Sequence, residues 1–296
     1  MGFPCTAQDI LITAGATGAL YTALLGILNP GDEVIVPTPA FPLYASIAAV
    51  ARAKVVPLPL AQTGFQITPE ALSQVMTCRT KAIVLNSPNN PTGVVLSRDS
   101  LAAVKAAVLG KDIYLVCDNV YQALCPETCP DLTTDPELHS QVLLCQSFSK
   151  PYAMTGWRVG YLAAPQPVLE RLLLLHAAQV ASIPTFLQSA CVTALAQDIR
   201  PMAQVYDRRR AYVCRRLQEM GIPFPQPGGA FYVFAQISSF GMDADTFCTR
   251  LIREGKVATV PGTCFGTDGY LRLSCACSDD TLREGLDRIE RFIRTL

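Results

Sequence analysis

Charge is scarce in this chain. Only 16% of its 296 residues are Asp, Glu, Lys or Arg, and the formal net charge is zero. Without a basic block there is nothing to supply the electrostatic term that nucleic acids or anionic lipid surfaces demand, so both are excluded as partners. Long apolar runs are missing too. The stretch 168–180 is broken by Glu170, Arg171 and His176, short of the ~20 residues a membrane helix needs. Met1-Gly2-Phe3-Pro4 lacks a basic region leading into an apolar core, which predicts no signal peptide and a cytoplasmic protein. The two histidines, His139 and His176, and the absence of any Cys-x-x-Cys pair argue against zinc or another metal. The twelve cysteines sit mostly inside apolar segments and read as reduced, mostly buried thiols, with Cys125-x-x-x-Cys129 and Cys275-x-Cys277 lacking partners for a metal. A dinucleotide-type G-x-G-x-x-G is also absent, since Gly15-Ala16-Thr17-Gly18 has the wrong spacing. There are no internal repeats and no low-complexity segments.

What is present is a regular alternation of strands and helices. Strands are expected at 9–13, 33–36, 54–60, 81–85, 112–117, 142–145 and 158–163, with helices at 19–28, 99–109 and 168–178 and a helix capped by Thr68. From Gly221 the texture changes to Pro223, Pro225, Pro227 and Gly228-Gly229, then short strands at 230–235 and 269–274 and a helix from Asp279 to Leu296. The pattern predicts a strand/helix domain over 1–202 and a smaller α+β domain over 203–296.

Several strands end on polar residues. The strand at 81–85 runs into Asn86-Ser87-Pro88-Asn89-Asn90-Pro91-Thr92-Gly93, and in open α/β sheets that edge is where ligands bind. The strand at 112–117 ends on Asp118-Asn119-Val120-Tyr121; such an aspartate either caps a turn or pairs with a buried cation. The strand at 142–145 leads into Ser147-Phe148-Ser149-Lys150, with Arg158 eight residues on. A lysine at the end of a buried strand is costly as an ammonium, and its pKa falls, which is where nucleophilic, imine-forming lysines are found. Gly15 to Gly18, between a strand and a helix, offers backbone N–H groups to an anion. Phe41 or Tyr44 could stack on a flat ring.

Taken together and in order, Gly15-Ala16-Thr17-Gly18-Ala19-Leu20, Asn90-Pro91-Thr92-Gly93, Asp118-Asn119-Val120-Tyr121, Ser147-Phe148-Ser149-Lys150 with Arg158, and Tyr270-Leu271-Arg272-Leu273-Ser274 resemble the class I/II aminotransferases of the aspartate aminotransferase fold. The resemblance spans nearly the whole chain. It implies a three-layer α/β/α large domain with a mainly parallel sheet, a smaller C-terminal domain, a homodimer, and pyridoxal 5'-phosphate as cofactor. It further implies that Lys150 forms the imine and then moves the Cα proton, and that Asp118 pairs with the pyridine nitrogen. Asn90 and Tyr121 would donate to the phenolic oxygen, and Phe41, with Tyr44 as second choice, would stack on the ring. Phosphate would be held by the turn at Gly15, by the Ala16 and Thr17 amides, by Ser147 and by Arg158, and the substrate carboxylate by Arg272. The implied reaction is transamination from an α-amino acid, aspartate or aromatic in type, to a 2-oxo acid such as 2-oxoglutarate. The same residues would serve a Cβ–S lyase. Members of the family carry several tens of residues more at the N-terminus, which supply a substrate lid and part of the dimer contact. Without them a third outcome is a chain that binds cofactor and does not turn over.

Overall fold

The computed structural model describes residues 3–127 and 129–296. Its large sheet has seven strands: β1 (Ile10–Thr13), β2 (Glu33–Thr38), β3 (Lys54–Pro59), β4 (Thr80–Asn86), β5 (Tyr114–Asp118), β6 (Val142–Ser147) and β7 (Gly160–Ala163), in the order β1-β7-β6-β5-β4-β2-β3. The five strands from β3 to β6 pair in parallel, whereas β7 is antiparallel to both β6 and β1.

Both faces of this sheet are buried, so its strands read as near-continuous apolar runs. On one face Ile35, Ile83, Leu85, Leu115 and Leu144 pack with Leu72 of α3 (Pro69–Val75) and Val104 of α4 (Arg98–Val108). On the other, Val34, Val36, Ala82, Val84, Val116 and Leu143 meet Leu20 and Leu24 of α1 (Gly15–Ile27), Ile47 of α2 (Leu43–Val50) and Leu172 of α5 (Gln166–Val180). This is the expected mixed α/β fold with helices on both sides of a mainly parallel sheet.

After α5 come α6 (Thr185–Leu195) and α7 (Arg200–Glu219). A second sheet follows, β8 (Tyr232–Gln236), β9 (Val260–Pro261) and β10 (Tyr270–Ser274) in the order β8-β10-β9, flanked by α8 (Ala244–Arg250) and α9 (Asp279–Ile293). Residue 202, the expected domain boundary, falls in the first turn of α7. Among the described residues, no helix is long and apolar enough to cross a membrane.

Four expectations are corrected. The strand expected over 158–163 begins only at Gly160, because Arg158 takes a left-handed backbone (φ 55°) after the turn Thr155–Trp157. Helix α1 starts at Gly15 rather than Ala19, so the small residues form its first turn. Helix α6 has no counterpart in the sequence pattern: its Phe186, Val192 and Leu195 are exposed and only Cys191 is buried, leaving no amphipathic period to read. Cys125 and Cys129 are joined in a disulfide, the chain after Leu124 folding back to bring their Cα atoms within 6.6 Å. Cys117, Cys145, Cys191, Cys214, Cys248 and Cys275 are buried free thiols, as expected.

Close approach at Gly160 fixes how β7 meets α1. A Cβ there would lie 2.5 Å from the Gln146 carbonyl oxygen and 2.8 Å from the Ala16 nitrogen, both backbone atoms. Gly160→Ala is therefore expected to cost about 1–3 kcal/mol by overpacking, read from urea denaturation midpoints at unchanged slope.

Candidate active site

The C-terminal ends of β4, β5 and β6 deliver Asn86, Asp118 and Ser147 to one side of the sheet, where the first turn of α1 and Arg272, in the middle of β10, also arrive. They enclose a cavity of about 290 Å³. Ala16, Thr17, Phe41, Asn90, Asp118, Tyr121, Ser147, Lys150, Arg158 and Arg272 all line it, and Gly15 lies just behind Arg158. The structure thus brings together every residue that the sequence nominated.

Asp118 is 4% exposed, and its Oδ2 accepts a 2.6 Å hydrogen bond from the Tyr44 hydroxyl. Its Oδ1 is buried with no partner among the described residues. Burial raises the Asp118 pKa to about 6, against the lowering effect of the Tyr44 hydroxyl and the Val120 N–H. Tyr44 is itself buried and packs edge-on against Phe41, so its ring is committed to the core and its hydroxyl to Asp118, which removes it as an alternative stacking platform.

Three cations share the cavity with this one carboxylate. Lys150 follows β6 in the turn Ser149-Lys150-Pro151, half-buried, its ammonium 5.6 Å from the Phe231 ring centroid. Burial, then the charges of Arg158 and Arg272, hold its pKa below the ordinary lysine value. The Arg158 guanidinium donates to the Thr155 carbonyl (3.0 Å) and lies over the first turn of α1, where a Cβ on Gly15 would be 2.9 Å from Nη2. Helix N-terminus and guanidinium together form an anion cradle. Arg272 sits against the rings of Tyr232 (4.5 Å) and Phe265 (4.9 Å), donates from Nη1 to Asn90 Oδ1 (2.8 Å), and has a buried Nε with no partner among the described residues. No carboxylate among the described residues forms an ion pair with any of the three.

The remaining contacts set the positions of these groups. Asn86 donates to the Asp118 carbonyl (2.8 Å) and accepts from the Asn90 N–H (2.7 Å), tying the β4 loop to β5. That loop closes at Gly93, whose φ of +72° favours glycine. Ser147 Oγ accepts from the Ser149 N–H (3.0 Å). The Tyr121 and Tyr232 hydroxyls are 3.0 Å apart. The sequence offers Tyr44 only as a ring, and Asn86 and Tyr232 carry no local motif, so their partnerships are invisible in it.

Residues 2–289 match the family model described as aminotransferase class I and II. The chain belongs to this family. It is 39% identical over 291 residues to a probable N-acetyl-LL-diaminopimelate aminotransferase of Bacillus subtilis, covering 97% of this chain and 74% of that protein. It is 37% identical to an aspartate aminotransferase of Pyrococcus horikoshii, over 99% of this chain and 77% of that one. An aromatic aminotransferase structure from Pyrococcus horikoshii superposes with a TM-score of 0.93 at 34% identity, over 97% of this chain and 80% of the other. Aminotransferases of this fold use pyridoxal 5'-phosphate and act on amino acids and 2-oxo acids.

The residues of this aminotransferase fit such a cofactor. The orphaned Asp118 Oδ1 asks for a cationic N–H, the α1 terminus with Arg158 asks for a phosphate, and Lys150 offers an amine of lowered basicity. Because the folded-state pKa of Asp118 lies near about 6, above its ordinary 3.8, the folded cofactor-free protein holds a proton that the unfolded chain releases. Its stability relative to Asp118→Asn should therefore fall as pH rises from about 4 to about 6 and stay level above that. The total change is on the order of 3 kcal/mol at most, measured by denaturation across that range.

Proposed function

We propose that the cavity holds pyridoxal 5'-phosphate and carries transamination of an aspartate-type or aromatic amino acid, with 2-oxoglutarate as acceptor. The observation that carries this reading is the buried Asp118 Oδ1, unpartnered among the described residues, in one cavity with three cations that pair with no described carboxylate. A lone buried acceptor of that kind is costly unless a cation completes it. Asp118 would accept the pyridine N–H, the Ala16 and Thr17 amides with Ser147 and Arg158 would take the phosphate, and Phe41 would cover the ring. Asn90, whose Oδ1 is engaged by Arg272, would donate from Nδ2 to the ring oxygen, as Tyr121 would from its hydroxyl. Bound there, the cofactor supplies a protonated aromatic ring that accepts the electrons left when the substrate Cα–H bond breaks.

Lys150 would hold the cofactor through its amine and, once freed by the substrate amine, would take the proton from the substrate Cα and deliver it to the cofactor carbon, the transfer that transamination requires. Burial, with the neighbouring guanidinium charges, favours its neutral form, which is what both tasks need. Arg272 would hold the substrate α-carboxylate; its rigid fork against two rings suits bidentate recognition that a lysine could not reproduce. Exposed apolar residues on α5 and α6, Leu174, Phe186 and Val192 among them, support a homodimer through that face.

The test is spectroscopic. Loaded with pyridoxal 5'-phosphate, the protein should show a visible absorption band that aspartate, glutamate or an aromatic amino acid, added singly, removes within one half-reaction. Lys150→Ala should abolish the band. Arg272→Ala should keep it while weakening amino-acid binding by about tenfold to a few hundredfold, the range for losing one charged hydrogen-bonded contact. Retention of the band in Lys150→Ala, or no response to any amino acid, would overturn the reading.

A further inference from the structure

We infer that Tyr232 is a positioning residue that sets both the proton direction of Tyr121 and the aim of Arg272, joining the ring side of the site to its carboxylate side. This rests on the cofactor reading above. Tyr232 opens β8 and is 6% exposed. Three different parts of it are engaged. Its hydroxyl lies 3.0 Å from that of Tyr121, its ring centroid lies 4.5 Å from the Arg272 guanidinium, and its carbonyl oxygen abuts Gly93, where a Cβ would be only 2.7 Å away.

The hydroxyl contact decides a direction. Two hydroxyls that face each other share one hydrogen bond, and the one that accepts keeps its own proton for a third group. If Tyr121 donated to Tyr232 it would have nothing left to offer the cavity. Only with Tyr232 as the donor does the Tyr121 hydroxyl keep a proton for the ring oxygen. The proton chain then runs from Tyr232 to Tyr121 to the ring oxygen. The Tyr232 ring, together with that of Phe265, packs against the Arg272 guanidinium. In the register of the small sheet Arg272 faces Phe234 directly, so Tyr232 reaches it along the diagonal, as a long aromatic side chain can.

The two contacts are separable. Tyr232→Phe keeps the ring and removes the hydroxyl, whereas Tyr232→Leu removes both. A donor to the ring oxygen weakens that oxygen's hold on a proton. Losing the support of Tyr232 should therefore raise the midpoint at which the visible band of the cofactor-loaded protein changes with pH, by roughly half to one pH unit. In Tyr232→Phe the midpoint should shift while the dissociation constant for succinate, a carboxylate probe with no amine, stays within about twofold, because the ring contact survives. In Tyr232→Leu the midpoint should shift and succinate should bind at least about fivefold more weakly. In a Tyr121→Phe background, Tyr232→Phe should add no further shift.

An unchanged midpoint in Tyr232→Phe, a shift that persists in the Tyr121→Phe background, or undiminished succinate binding in Tyr232→Leu would each overturn the inference while the cofactor reading stood. A wild-type protein that takes up no pyridoxal 5'-phosphate would overturn both.

Discussion

A buried carboxylate with one oxygen satisfied and the other bare is the constraint on which the site depends. Asp118 ends a strand buried on both faces; the Tyr44 hydroxyl and the Val120 N–H favour its charged form, yet Oδ1 has no partner among the described residues. The cations of the cavity do not relieve it. Arg158 is committed to the Thr155 carbonyl, Arg272 to Asn90 and two rings, and Lys150 has its charge disfavoured by burial and by both arginines. What the cavity calls for is a ligand that is cationic at one end and anionic at the other, as a protonated pyridine with a phosphate is.

The scaffold creates that polarity by simple means. Parallel strands present their C-terminal ends on one edge, and each ends on a polar residue, Asn86, Asp118 or Ser147. Short contacts at glycine allow the neighbouring segments to close in. Gly160 brings β7 beneath α1, and Gly93 brings the Asn90 loop against the backbone at Tyr232. The second sheet contributes Arg272 from β10, directly across from Phe234. A core change on either sheet would thus move one charge of the site relative to the others.

Legibility in the sequence followed distance along the chain. Lys150, Asp118, Asn90 and Arg158 each stand at a strand end or in a turn whose local pattern gives them away, and all of them line the cavity. The residues that hold them do not stand near their partners: Tyr44 reaches Asp118 across 74 positions, Tyr121 meets Tyr232 across 111, and Arg272 meets Asn90 across 182. No local period encodes such pairs. Tyr44 is visible as an aromatic, yet only packing shows that its hydroxyl matters more than its ring. Helix α6 escapes for another reason. A helix announces itself in sequence through the apolar stripe it buries, and in α6 Phe186, Val192 and Leu195 are exposed instead. The Cys125–Cys129 bridge depends on a fold-back that composition does not announce.

Two kinds of instability therefore meet in one cavity: a carboxylate short of a cation, and cations short of anions. Removing either alone would ease the protein's folding and spoil the site. A ligand that satisfies both binds the folded chain and has no counterpart in the unfolded one, so its binding free energy adds directly to stability by mass action. The family's cofactor is on that account as much a part of this protein's fold as of its chemistry. Tyr44, through its bond to Asp118, and Tyr232, through its ring beside Arg272, hold those unmatched groups in place.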